Sequence, residues 1–219
     1  MFQLFFCIFA LKIKYMDKEI NNNGFDYVDL GLPSGTLWAT MNVGASKSSD
    51  YGLYFQWGDT KGYDFSQIGK DKQFNWNDYK FSINGSSSNF RKYTATSATL
   101  ELEDDAANFH MGGDWHMPAP KQIRELLDNT TSTWTTLDGV NGVTFTAKND
   151  GSKFIFIPAT GAVCNGLVLN SGYTGTIWSS MLSERYVGNG QHLYFNPGYI
   201  FLSGSCGRCN GISVRGIIV

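Results

Sequence analysis

The stretch His192–Gly211, HLYFNPGYIFLSGSCGRCNG, alternates with a period of two on either side of Asn196-Pro197-Gly198. Leu193, Phe195, Ile200 and Leu202 share one side and predict the inward face of two short strands. His192, Tyr194, Tyr199 and Phe201 share the other, which should meet water although it is mostly aromatic. Alternation also predicts strands over Gly142–Ala147, Lys153–Pro158, Thr176–Ser180 and Ile212–Ile218. Further upstream, Tyr27–Ala45 reads as two strands around a Leu-Pro-Ser-Gly turn. Tyr51–Thr60 is an aromatic strand that ends at Gly58-Asp59.

The pattern changes in the middle of the chain. Glu101, Glu103, Asp104 and Asp105 precede Ala106-Ala107, as acids do in the first turn of a short helix. A second helix follows Pro118 or Pro120, with Ile123, Leu126 and Leu127 at helical spacing and Asn129 at its end. Ser82–Asn89 (SINGSSSN) is a polar loop and the expected mobile segment. Two helices among many short antiparallel strands, with long loops, predict an α+β domain. No linker divides it.

Composition agrees. Aromatics are 15% and charged residues only 16% of the chain, which favours strands and tight turns over helix bundles. The net charge of −2 and the lack of a Lys/Arg cluster exclude a nucleic-acid footprint. The apolar run Phe2–Leu11 is too short for a membrane span, has no preceding positive charge, and lacks a small-residue cleavage site. Residues 1–26 therefore read as an extension, either an upstream start ahead of Met16 or a degenerate export signal.

Signatures of catalysis are scarce. The chain holds no nucleophile elbow, phosphate loop or dinucleotide fingerprint. His110 and His116 flank Asp114 without a metal-site spacing, and a structural role is expected for them. Trp76-Asn77-Asp78 matches a calcium motif of sugar-binding lectins, but one motif supplies too few oxygen ligands for calcium. Cys206-Gly-Arg-Cys209 lacks the second pair that a four-cysteine zinc site needs. No cofactor is expected.

Eight phrases, in order, carry a family resemblance: YVDLGLPSGTLWATMNVGA, DYGLYFQWGDT, NWNDYK, DDAANFHMGGDWHMPAPKQIRELL, WTTLDGVNG, FIFIPATG, IWSS and NGISVRGI. From Tyr27 onward the chain resembles the major paralogous domain family first noted in Fibrobacter and abundant in gut Bacteroidetes. That family is similar to the formylglycine-generating-enzyme variant of the C-type lectin fold, the scaffold of diversity-generating retroelement variable proteins, phage receptor-binding tail proteins among them. The resemblance implies one C-type lectin-like domain over 27–219, with a variable, ligand-binding region at about 178–215. Trp178, Ser179, Ser180, Leu193, Phe195, Gly198, Gly211, Ser213, Val214 and Arg215 would be framework. Tyr186, His192, Tyr194, Tyr199, Phe201, Ser203, Ser205, Cys206, Arg208 and Cys209 would contact the ligand, a protein or glycan on a cell surface. The protein would sit on a virion tail or a bacterial surface. Two alternatives stand beside this reading. One is a cysteine/copper(I) oxidase using Cys206 and Cys209. The other is a structural or fimbrial module whose aromatic face packs on a neighbouring subunit, as in a homo-oligomer.

Overall fold

The computed structural model describes residues 22–219; the run Phe2–Leu11, Met16 and Cys7 lie outside the described residues. The packed body begins ahead of Tyr27. Phe25 meets Trp115 edge-on at 6.4 Å, and the Asn23 side-chain amide donates to Met111 O.

Strands β1 (Tyr27–Asp29) and β2 (Leu37–Asn42) pair antiparallel through the expected turn, which the Gly35 N–H closes onto Leu32 O at 2.9 Å. After β3 (Tyr54–Phe55) the chain runs through long loops to helix α1 (Ala106–Met111). The predicted acids are distributed differently from expectation. Glu103 and Asp104 lie in a separate 3-10 turn, Leu102–Asp104, and Asp105 is the N-cap of α1. Its carboxylate accepts from Asn108 N at 3.0 Å and from Met117 N at 2.8 Å, so it caps α1 and also holds the segment leading to the second helix.

Helix α2 (Pro120–Asn129) places Pro120 in its first turn, where no N–H is needed, and buries Ile123 and Leu126 completely. It ends where the Thr130 hydroxyl donates back to Leu126 O at 2.6 Å. Its neighbours form an antiparallel sheet, β4 (Thr130–Leu137), β5 (Val140–Ala147) and β6 (Phe154–Pro158). Strand β4 carries mostly exposed Thr and Ser, so hydrophobic alternation does not mark it. A small hairpin follows, β7 (Ala162–Cys164) with β8 (Leu167–Leu169).

The remaining strands are β9 (Gly175–Leu182), β10 (Asn189–Phe195), β11 (Ile200–Gly207), β12 (Ile212–Ser213) and β13 (Arg215–Ile218). They form a five-stranded sheet in the order β11-β10-β9-β12-β3, with β13 joining β1 and β2 in a separate three-stranded sheet. Among the described strands, only the β12–β9 pair is parallel. The single strand expected over Ile212–Ile218 is thus two strands in two sheets. Val214 is the crossing point, and its carbonyl accepts from Val43 N at 2.9 Å. The result is an α+β domain of mostly antiparallel sheet.

The five-stranded sheet has a hydrophobic cluster on each face. Ile177, Leu193 and Phe195 point into one with Trp38, Ile123 and Ile157. Trp178 points into the other with Trp57, Trp115 and Tyr93. The two central indoles are clasped: Trp57 Nε1 donates to Ser179 O at 2.9 Å and Trp178 Nε1 to Phe55 O at 2.8 Å. Gly190 lies so close to both that a Cβ there would meet Trp178 at 2.7 Å and Trp57 at 2.9 Å.

Arg215 is fully buried and has three acceptors: Asn42 Oδ1 at 3.0 Å, Ala39 O at 2.9 Å and Phe156 O at 2.9 Å. Burial alone lowers its pKa, and the three neutral acceptors hold the guanidinium in place.

Arg215→Met should strip three buried acceptors of their donor and cost about 3 kcal/mol or more in urea unfolding. Trp178→Ala should cost a similar amount, about 3 kcal/mol or more, because it opens a cavity at the centre of the clasp.

Candidate functional site

The predicted aromatic face divides in two. Leu193 and Phe195 are buried as expected, and Ile200 and Leu202 pack against the same cluster. On the opposite side, Tyr199 is 71% and Phe201 46% exposed. Tyr194 is half-buried and pairs across the strands with Phe201, their rings 5.2 Å apart. Its hydroxyl also accepts from the Asn196 side chain at 3.2 Å, and Asn196 Oδ1 takes the N–H groups of Gly198 and Tyr199. Hydrogen bonding at the hairpin therefore fixes the base from which these rings project.

His192 does not belong to that surface. It is 3% exposed, pairs with Trp178 across the sheet, and meets the indole edge-on at 5.9 Å. Burial drives its pKa down to about 4, so the imidazole is neutral in the folded protein. The alternation places His192 opposite Leu193, as expected, but the cluster of Trp57, Trp115 and Trp178 extends over this end of the sheet and covers it.

Arg208 and Cys209 are buried as well. The Arg208 guanidinium donates to Tyr93 O at 3.1 Å, and its Cζ lies 3.5 Å from the Phe90 ring centroid, with Trp57 and Tyr79 at 5.7 and 5.6 Å. Its Nε and Nη2 have no hydrogen-bond acceptor; ring faces surround the cation instead. Cys206 is half-buried. Burial pushes its thiol up to about 11 and that of Cys209 to about 12. Asn210 lies between them, donating to Cys206 Sγ at 3.3 Å and accepting from Cys209 Sγ at 3.6 Å. Burial thus disfavours both free thiolates, and a copper(I) ion binding there would have to displace the two protons.

Ser203 and Ser205 lie on β11, the edge strand of the sheet. Register slips there: Ser203 faces His192 and Cys206 faces Gly190, which leaves one more residue on β11 than on β10 between those pairs. The two serine hydroxyls bond each other at 2.8 Å. Beyond them the loop Ser183–Gly188 carries Tyr186, 63% exposed. This loop borders an open groove of about 530 Å³ lined by Trp76, Ser87, Ser88, Arg185, Tyr186 and Asn189 with Val187 and Gly188. The site thus runs along the sheet edge from Tyr199 to the groove. Of the predicted residues, the structure leaves Tyr186, Tyr194, Tyr199, Phe201, Ser203 and Ser205 on it.

Sequence reasoning missed Trp76, Ser87, Ser88, Arg185 and Asn189 as site residues. Ser82–Asn89 was visible as a polar loop; its position against Gly188 was not. It is closed by bonds from Ser82 Oγ to Ser86 O at 2.9 Å and from Ile83 N to Asn89 O at 3.0 Å. The Trp-Asn-Asp motif is explained locally. The Asp78 carboxylate accepts from the backbone N–H groups of Gln73, Phe74 and Asn75 and from the Gln56 side chain, which closes a turn.

Other candidate chemistry is similarly committed. His110 Nε2 contacts Thr60 O at 2.9 Å, and His116 Nδ1 contacts Met117 O at 3.1 Å. Among the described residues, the grouping of metal-ligand types is Glu101, Glu103 and Asp104, and Lys92 Nζ sits among them at 2.7, 2.7 and 2.6 Å. Among the described residues no helix is long and apolar enough to cross a membrane.

The neutral, buried His192 has a pH consequence. Its folded pKa lies below the unfolded value of 6.5, so the unfolded chain binds the extra proton as pH falls from about 6.5 to about 4. Stability contributed by the neutral ring should be complete above that window and lost through it, by about 3 kcal/mol. Urea unfolding of wild type and His192→Gln at pH 7 and pH 4.5 should show a smaller pH loss in the variant.

No protein-family model, curated protein or solved structure matches this chain.

Proposed function

We propose that this protein is a non-catalytic binding module with a C-type lectin-like fold, and that its β10–β11 face and adjoining loops recognise a protein or glycan on a cell surface. One observation carries the reading: Tyr199 and Phe201 stay exposed on a strand pair whose opposite face is locked into the core. A rigid base with projecting aromatic rings supplies contact area at little entropic cost. The serine hydroxyls of Ser203 and Ser205 add hydrogen-bonding groups between the rings and the groove.

Diversification by a retroelement fits the exposed members of this set, Tyr186, Tyr199, Phe201 and Ser205, where a new side chain meets solvent. It fits poorly at His192, Arg208 and Cys209, where each replacement would have to repack a core. A near-copy of the coding segment beside a reverse transcriptase, differing only at adenines, would be expected to spare those three codons. The virion tail and the bacterial surface are both compatible places for such a module.

The test uses labelled protein on a panel of intact bacterial cells and on a printed glycan array. Wild type should mark at least one surface. The double variant Tyr199→Ala/Phe201→Ala should lose that signal, with a Tm within about 2 °C of wild type, because both side chains are exposed. Equal labelling by the two proteins, or none by wild type, would refute the reading.

A further inference from the structure

We infer that the groove between the Ser82–Asn89 loop and the Ser183–Gly188 loop takes an acidic saccharide, an assignment that rests on the binding reading above and specifies its ligand class. The groove volume of about 530 Å³ lies within the usual range for small-molecule sites. Its lining combines two kinds of chemistry. Trp76 and Tyr186 bring aromatic surface suited to the C–H face of a pyranose, while Ser87, Ser88 and Asn189 bring hydroxyl and amide chemistry suited to its hydroxyls.

The walls are held from behind. The Trp76 indole packs on Tyr79 at 5.9 Å and on Phe90 at 5.8 Å, and Phe90 in turn covers the buried Arg208 guanidinium. The Gly188 carbonyl accepts from Arg208 N at 2.9 Å, which ties the second loop to the same anchor. The two loops touch where Ser87 O approaches Gly188; a Cβ there would come within 2.5 Å of that oxygen. The cleft is therefore built from two loops fixed to one buried residue, Arg208, through its guanidinium against Phe90 and its backbone N–H to Gly188.

Arg185 supplies the charge preference. It is exposed at the groove and forms no ion pair among the described residues, not even with its neighbour Glu184. No carboxylate contributes to the lining. An uncompensated guanidinium beside two aromatic rings and three polar side chains favours a sugar bearing a carboxylate, which it can meet with paired N–H donors.

Calorimetric titration of the full chain with glucuronate-, galacturonate- and sialate-terminated oligosaccharides, each against its neutral counterpart, tests the assignment. At least one acidic sugar should bind more tightly than its neutral partner. Arg185→Gln should weaken that acidic sugar roughly tenfold and leave the neutral one unchanged, as loss of a charge-assisted hydrogen bond requires. Tyr186→Ala should weaken both. Absence of heat for all three acidic sugars at millimolar concentration, an unchanged affinity in Arg185→Gln, or equally tight binding of poly-glutamate would overturn the inference. If cell or array labelling persists and remains sensitive to Tyr199→Ala/Phe201→Ala, only this assignment falls.

Discussion

The fold depends on how the chain gets Arg215 out of water. A guanidinium with no counter-ion is costly to bury, and the cost falls when its N–H groups find acceptors; those of Arg215 find two in β2 and one in β6. Satisfying them fixes β13 beside β2 and brings β6 up against both. Because β12 ends one residue before β13 begins, the same constraint sets where Ser213 enters between β9 and β3. The five-stranded sheet is therefore positioned by a side chain that never approaches the proposed binding surface.

Two further buried groups organise the site itself. Arg208, enclosed by Phe90, Trp57 and Tyr79, joins the β11–β12 connection to both groove loops. His192 fills the space beside Trp178 at the bulge, where Gly190 lets two indoles approach the backbone. In sequence both look like contact residues, since Arg and His are typical of binding surfaces. In the fold they serve as core.

The proposed surface follows from this division of labour. At the hairpin end the sheet has one covered face and one open face, so Tyr199 and Phe201 project from a base whose other side packs into the core. At the other end the sheet is covered on both faces, and the proposed surface passes from strand to loops. The thiols of Cys206 and Cys209 lie at that junction, protonated and bridged by Asn210, where they contribute packing.

The sequence alone determined the features that local rules govern. These are the hairpin around Leu32–Gly35, the helix starting at Pro120 with Ile123 and Leu126 inward, and the alternation that sends Leu193 and Phe195 into the core. Such features depend on neighbours two to four positions away, which a chain displays directly. Strand β4 was hidden because its polar threonines carry β-propensity without alternation. The split of Ile212–Ile218 between two sheets, the burial of His192 and Arg208, and the meeting of Ser87 with Gly188 were decided only by tertiary structure. Each depends on what lies across from a residue. A period of two names the side a residue faces but not whether another layer covers that side.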